Sequence, residues 1–274
     1  MLLSMAAFLW EPSIAFAGSI LGSAQSFAVL GAQTVTKTGT STISGSLGTY
    51  PGTSLTGSPT VINGSIHLGD AVALQAQNDE TYAYNTLAGL ASAIDKSGTD
   101  LGGLTLFAGV YKFTSSAFLT GIIPLTLDFQ NNPNSMFVFQ IGSTLNVGNG
   151  ASVVVTNGAA SDGIYFQVGS SATLGTTSTF AGNILALASV TLNTGAKIEC
   201  GRAFAQTGAV TMDTNSISNN CSLNDFGSGR SDFGSAGFSA GSSNIQLVTP
   251  EPGTFLLLGM SLFGIVVKFS ARKK

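Results

Sequence analysis

Apolar and small polar residues alternate through most of the chain, and the alternation returns at a nearly constant interval. Four segments align on a threonine followed by an apolar residue: Thr144-Leu145, Thr173-Leu174, Thr191-Leu192 and Thr211-Met212, with the threonines 29, 18 and 20 residues apart. A less regular copy begins at Val110. Alternation with a period of two predicts strands that have one side in a core. A repeat of about 18–20 residues is typical of one coil of a three-sided β-solenoid.

The alternation also predicts which side chains lie inside the solenoid. Positions expected to face inward are apolar, and the positions beside them carry hydroxyl groups or small side chains. The inward set is Phe166, Val168, Leu174, Ile184, Leu192 and Ala203.

One segment departs from the strand pattern. After Gly69 the chain contains neither Gly nor Pro up to Ala88, and it is rich in Ala, Leu and Gln. Leu74, Asn78 and Tyr82 follow a helical spacing. We expect a helix of about 20 residues that begins near Asp70 as N-cap and packs along one side of the solenoid.

The N-terminus has the features of a secretory signal. An apolar run from Leu2 to Trp10 precedes Ala15-Phe16-Ala17, which predicts cleavage between Ala17 and Gly18. No basic residue precedes the apolar run, so an ordinary N-terminal helix is the alternative.

The C-terminus resembles the PEP-CTERM sorting signal of Gram-negative bacteria. Pro250, Glu251 and Pro252 precede an apolar stretch from Phe255 to Val267 and a basic end. The resemblance implies that an exosortase-type enzyme removes the tail, so that membrane contact is transient and the mature protein is secreted or held on the outer cell surface. A plain tail anchor is the alternative, since the apolar stretch is barely long enough to cross a bilayer of about 30 Å. Residues 225–249, rich in Gly and Ser, are expected to form a linker.

The composition narrows the classes of function. Charged residues make up 8% of the chain and the net charge is −3, whereas about 25% of residues are charged in an average globular protein. The one basic cluster, Arg272-Lys273-Lys274, is at the end of the chain. We therefore expect no nucleic-acid binding.

The inventory of reactive side chains is small. The single histidine is His67, there is no G-x-S-x-G motif, and two cysteines are present. A metal site, a cofactor and catalytic residues are therefore not expected. A β-helical polysaccharide lyase or hydrolase would need clustered acidic or basic residues on one face, whereas Asp128, Asp162, Asp213 and Glu199 are scattered.

Cys200 and Cys221 are 21 residues apart, about one coil. Adjacent coils lie about 4.8 Å apart, within the range that a disulfide spans. In an exported protein we expect this pair to form a disulfide; two free thiols are the alternative.

The motifs of the body resemble the ice-binding (antifreeze) proteins, the family of the ice-binding-like adhesin domain, over residues 20–222. The matching segments are 21–36, 44–49, 51–52, 70–76, 101–111, 139–143 and 201–203. The resemblance implies an all-β dominated fold, a discontinuous right-handed triangular β-helix with one long α-helix alongside. The predicted domains are a signal peptide (1–17), the solenoid (18–224), the linker (225–249) and the sorting signal (250–274).

The resemblance also implies adsorption to an ice crystal surface through a flat solenoid face with a Thr-Ala/Gly-x-Thr/Asn pattern. Only fragments of this pattern occur here, and Lys197 departs from it, so we expect weak to moderate activity from a monomer. The candidate face comprises Asn149, Ala151, Ser152, Thr173, Thr176, Ser178, Thr179, Thr191, Thr194, Ala196, Thr211, Thr214 and Ser216. The alternative function is a structural or adhesive protein of the extracellular matrix or biofilm, which would bind exopolysaccharide or the cell surface and show irregular outward rows.

Overall fold

The computed structural model describes residues 19–91, 94–158 and 162–220, which contain one α-helix and 22 strands. These residues belong to the first of two compact units, Met1–Gly241. The second unit, Ser242–Lys274, lies outside the described residues, as do the predicted signal peptide, the linker and Cys221.

The strands are short and are spread over the whole described chain. In chain order they are β1 (Phe27–Gly31), β2 (Thr34–Thr38), β3 (Thr42–Ser44), β4 (Ser46–Thr49), β5 (Ser54–Thr56), β6 (Thr60–Ile62), β7 (Ile66–Leu68), β8 (Ile94–Asp95), β9 (Thr105–Phe107), β10 (Gly109–Phe113), β11 (Ala117–Leu119), β12 (Leu125–Asp128), β13 (Met136–Ile141), β14 (Leu145–Val147), β15 (Val153–Thr156), β16 (Gly163–Val168), β17 (Ala172–Leu174), β18 (Thr179–Ala186), β19 (Val190–Leu192), β20 (Lys197–Ala205), β21 (Val210–Asp213) and β22 (Ser216–Ser218). Helix α1 spans Ala71–Ala88, between β7 and β8.

The strands form three parallel faces, and each coil contributes one strand to each face. Face A has the order β8-β10-β13-β16-β18-β20-β1-β4-β7, and face B has the order β11-β14-β17-β19-β21-β2-β5. Face C contains β9, β12 and β15, then the first residues of β18 and β20, then β22, β3 and β6. The strands β18 and β20 are long because each turns from face C onto face A. At that bend their register shifts beside Gly182, whose φ of 114° favours glycine. The predicted fold class, a discontinuous triangular β-helix with one helix, is confirmed.

The solenoid is discontinuous because the strands that come first in the sequence stack on the strands that come last in the sequence. Val29 pairs with Ala203 on face A, and Thr36 pairs with Thr211 on face B. The chain therefore builds one end of the solenoid first, and after α1 it resumes with β8 at the other end.

Helix α1 lies against face A. The side chain of Asp70 accepts a hydrogen bond from the Ala73 amide at 2.8 Å, which confirms the predicted N-cap. Small side chains such as Ala76 and Ala83 pack with Tyr165 and Phe204, which point outward from face A. Because alanine is small, the helix approaches the sheet closely and covers this face.

Inside the solenoid, equivalent side chains of successive coils stack on each other. All six predicted inward residues are buried. Phe139 and Phe166 are stacked with ring centroids 4.4 Å apart and an interplanar angle of 7°, and Phe166 contacts Phe180 at 4.7 Å. Such offset aromatic contacts add about 1 kcal/mol beyond the area buried.

A buried arginine joins the N-terminal segment to face A. Arg202 has no exposed surface; its Nε and Nη2 donate to the Gln25 carbonyl, and its Nη1 donates to Asn183 Oδ1 at 2.8 Å. Gln25 belongs to a 3-10 turn, Gly22–Ser26, just before β1. The guanidinium therefore holds β1 where the discontinuous stacking begins.

Cys200 lies at the bend of β20 and is 2% exposed. The predicted disulfide partner, Cys221, is outside the described residues, so the disulfide remains a prediction.

The helix also buries a carboxyl group. Glu80 has no exposed surface, and burial raises the pKa of its carboxyl from 4.5 to about 8. The unfolded chain releases this proton at a lower pH than the folded chain does. Folding stability should therefore fall as pH rises from 4.5 towards 8.

We predict that Glu80→Gln, which cannot ionise, removes this loss of stability. At pH 8 the melting temperature of the variant should exceed that of the parent by about 5 °C, whereas at pH 4 the two should agree. Differential scanning calorimetry at both values checks this, with Glu199→Gln on face C as the matched control. A variant that melts lower than the parent at pH 8 would contradict the assignment.

Candidate functional site

The structure divides the predicted site residues between two faces and the corner that joins them. The corner between faces B and C is aligned by backbone hydrogen bonds between successive coils, among them Gly150 N to Thr176 O at 2.9 Å and Gly195 N to Asp213 O at 3.0 Å. We call the outward residues aligned in this way the corner column. Its members are Asn149, Thr176, Thr194, Asp213 and Thr38.

Thr214 belongs to the predicted candidate face, but it lies one position further along the chain than Asp213, the member of this column in its coil. The Thr214 amide donates to the Thr38 carbonyl at 3.1 Å, which aligns Asp213 with Thr38, and the Gly195 amide donates to the Asp213 carbonyl, which places Asp213 beside Thr194. Thr194 Oγ1 donates to Asp213 Oδ2 at 2.5 Å, and this bond is the main cause that lowers the pKa of the Asp213 carboxyl. The corner column therefore carries one negative charge.

The chain enters face C three residues after each member of the corner column, and a second column of outward residues forms there. The register of the paired strands aligns the members of this second column directly. This face C column contains Ser152, Thr179, Lys197, Ser216, Thr42 and Thr60. Thr42 and Thr60 come from N-terminal strands, and no spacing in the sequence pointed to them.

Between the two columns the chain turns inward. Ala151, Ser178 and Ala196 have no exposed surface, so their side chains cannot contact a ligand outside, and we leave them out of the candidate surface. The next coil has Asn215 at this place, with its Nδ2 donating to the Asn193 and Ala196 carbonyls at 2.9 Å. A small or hydrogen-bonded side chain is needed here because the corner packs against the core.

Three charged residues of the described chain lie on face C, and the first is Asp128 of β12, which pairs with Thr156 of β15. Lys197 is exposed within the face C column, and Glu199 lies two residues along the same strand, beside Ser218. The long, strongly hydrated lysine side chain breaks a row of short hydroxyl groups at its centre.

Thr173, Thr191 and Thr211 lie on face B and are aligned with each other. Thr144 was expected in the same column, but Asn146 pairs with Thr173, so Thr144 is displaced by two residues. The sequence alignment failed there because this coil spans 27 residues, from Asn146 to Thr173. The extra length lies after β15.

The described residues offer little chemistry for catalysis. No group of three or more His, Cys, Asp or Glu among them could hold a metal ion. His67 contacts Phe27 at 5.6 Å between ring centroids, and its Nδ1 is 2.8 Å from Asp70 Oδ2 at the start of α1. Within the same part of the chain, no helix is long and apolar enough to cross a membrane.

Comparison with known proteins gives two family matches. The profile described as ice-binding-like matches residues 29–218, and the PEP-CTERM protein-sorting motif matches residues 248–274. An ice-binding protein of Nostoc sp. (strain HG1) is 56% identical over 256 residues, covering 93% of this chain and 87% of that protein.

Solved structures agree with the sequence matches. The crystal structure of an ice-binding protein from an Antarctic biological consortium superposes with a TM-score of 0.69 at 44% identity, over 75% of this chain and 92% of that one. An ice-binding protein from the Antarctic ascomycete Antarctomyces psychrotrophicus gives a TM-score of 0.67 at 38% identity, over 74% and 98%.

Proposed function

Because the chain belongs to the ice-binding-like family, we propose that it adsorbs to ice through the corner column and the face C column. We call these two columns together the edge surface. The protein acts by binding and not as an enzyme, and it needs no cofactor. The alternative of a matrix or biofilm adhesin is not favoured, since the relatives that match are ice-binding proteins.

The observation that carries the proposal is the pairing of two outward columns across a buried third position. A four-residue Thr-Ala/Gly-x-Thr/Asn pattern is expected on family ice faces. In the four-residue segment Thr176–Thr179 the first and fourth residues point outward, and the third, Ser178, is buried. The geometry thus accounts for the spacing of the pattern.

Threonine suits such a surface for a physical reason. It presents a methyl and a hydroxyl group from a β-branched side chain with few rotamers. Rows separated by the strand spacing of about 4.8 Å can hold surface water in a regular arrangement. Each contact is weak, but a surface that is already ordered loses little entropy on binding, so many contacts add up. Adsorbed protein then curves the ice front and halts its local growth.

The PEP-CTERM motif implies secretion or surface export. We further propose that Ala17-Gly18 is the signal cleavage site, that residues 18–224 form the adsorbing body, and that residues 225–249 link it to the sorting signal at Pro250-Glu251-Pro252. An exosortase of a Gram-negative host would then remove the tail and leave a monomeric protein outside the cell.

We predict that Thr179→Tyr lowers thermal hysteresis by at least half, because a bulky ring on the face C column holds neighbouring side chains away from the ice. A nanolitre osmometer measures this effect on the purified protein, together with crystal shape. Thr81→Tyr, on the exposed side of α1, is the matched control and should behave like the parent. Round ice crystals that grow freely in a solution of the parent protein would refute ice binding.

A second prediction concerns the interrupting charge. Lys197→Thr places a short hydroxyl side chain between Thr179 and Ser216, and thermal hysteresis should rise about twofold because the row becomes continuous. Lys112→Thr, an exposed position on face A, serves as control for the loss of one positive charge. An equal gain in both variants would attribute the effect to net charge instead of to the row.

A further inference from the structure

We propose that Glu80 binds a proton in the folded protein, and that loss of this proton loosens the attachment of helix α1 to face A while the solenoid stays folded. We call the contact between α1 and face A the α1 latch. The inference does not depend on what faces B and C adsorb, since it concerns the third face and the helix that covers it.

The turns of α1 follow the coils of the solenoid. Gln77 Nε2 donates to the Ala205 carbonyl at 3.1 Å, and two turns further on the Tyr84 hydroxyl donates to the Val168 carbonyl at 3.4 Å. Ala205 and Val168 both pair with Ala186, which lies between them on face A. One helical turn rises about 5.4 Å, close to the coil spacing of about 4.8 Å. The helix position midway between Gln77 and Tyr84 therefore lies over the coil of Ala186.

Glu80 occupies this midway position, and its carboxyl group is enclosed there. The residue has no exposed surface, and neither of its carboxyl oxygens has a hydrogen-bond partner. The Gln206 side chain lies beside the carboxyl group, yet the Gln206 amide nitrogen is unpaired as well. A buried carboxylate without a partner is far more costly than a buried neutral carboxyl group.

The balance of donors and acceptors also favours the protonated form. The unpaired buried atoms along this part of the helix are three acceptors and one donor: both carboxyl oxygens of Glu80, Oε1 of Gln77 and Nε2 of Gln206. A proton on Glu80 turns one acceptor into a donor, so that two donors meet two acceptors. Ionisation leaves an excess of acceptors together with a buried charge.

The other titratable groups of α1 do not neutralise Glu80. Asp79 is engaged elsewhere, since its carboxylate accepts from the Ser23 amide and hydroxyl group at 2.7 Å each. Tyr82 is exposed. Tyr84 faces the solenoid; burial is the main cause that raises the pKa of its phenol, and the charge of Glu80 adds to the rise.

No basic group of face A is bound to Glu80 either. The titratable groups of face A near α1 are Arg202, whose guanidinium donates to the Gln25 carbonyl and to Asn183; His67, which pairs with Asp70; the buried phenol of Tyr165; and Lys112, beside Ala88 at the end of the helix. A bound proton is therefore what keeps the Glu80 carboxyl group neutral.

The α1 latch can open locally because side chains, and not strand pairing, hold the helix on face A. Near the other end of the helix, for example, Gln140 Nε2 donates to the Leu87 carbonyl at 2.8 Å. No residue of α1 belongs to a strand pair, so the coils keep their hydrogen bonds when the helix moves. Opening uncovers apolar side chains of face A that have no exposed surface, namely Val138, Tyr165, Leu185 and Phe204.

The experiment measures amide hydrogen exchange by mass spectrometry in the full chain between pH 5 and pH 8, with each rate divided by that of an unstructured peptide at the same pH. In the parent, protection of amides 71–88 should fall about tenfold for each pH unit, because opening then releases one proton. The strands of face B should keep their protection. In Glu80→Gln the protection of the helix should not change with pH, and the matched control Glu199→Gln should behave like the parent.

Infrared spectroscopy of the parent tests the bound proton even if Glu80→Gln misfolds. At pH 7 the parent should show the carbonyl band of a protonated carboxyl group, and this band should disappear as the pH is raised well above 8. Where Glu80→Gln is folded, subtracting its spectrum assigns the band to this residue.

Three results would overturn the α1 latch. The first is a parent without the carbonyl band at pH 7, in which Glu80 is ionised. The second is a simultaneous loss of protection in the helix and in the strands, which is unfolding of the whole solenoid. The third is a Glu80→Gln variant that keeps the pH dependence of the parent. Neither measurement reads out ice adsorption, so failure of the proposed function would leave these results unchanged.

Discussion

Parallel pairing between coils is the interaction on which the rest of the structure depends. Backbone hydrogen bonds fix each strand against the next, so equivalent side chains lie one strand spacing apart, about 4.8 Å. Inside, this spacing stacks Phe139 on Phe166 at 4.4 Å between ring centroids. Outside, the same spacing aligns Thr173, Thr191 and Thr211. Core and surface are therefore two consequences of one register, and a shift that harmed the core would also break the outward rows.

The same parallel register joins the N-terminal strands to the C-terminal strands at the discontinuity. Strands β1, β2 and β3 continue the coil that ends with β20, β21 and β22, one strand on each face. The buried guanidinium of Arg202, held by the Gln25 carbonyl, fixes where this continuation begins. Helix α1 then covers face A. Faces B and C have no such covering element among the described residues, and they are the faces with rows of hydroxyl groups.

The sequence predicted the repeat, the inward residues and the N-cap of the helix because each depends on local alternation or on one turn of chain. Thr144 was misaligned because a coil of 27 residues has its extra length in a loop, which changes the count without changing the strands. Ala151, Ser178 and Ala196 were expected outside because they belong to fragments of the four-residue pattern, but at the corner the chain turns inward and buries them. Thr36, Thr42, Thr56 and Thr60 could not be placed, since non-local stacking sets their neighbours.

At the corner between faces B and C, packing in the core and exposure at the surface both restrict which side chains fit. A buried third position must be small or must satisfy its own hydrogen bonds, as Asn215 does with two carbonyl groups. That requirement leaves the first and fourth positions free to point outward, so they can vary for binding without disturbing the core. Lys197 occupies such a free position, so the solenoid tolerates its charge at little cost in stability. The fold therefore does not require the charge of Lys197, and replacing this residue should alter adsorption while leaving the core intact.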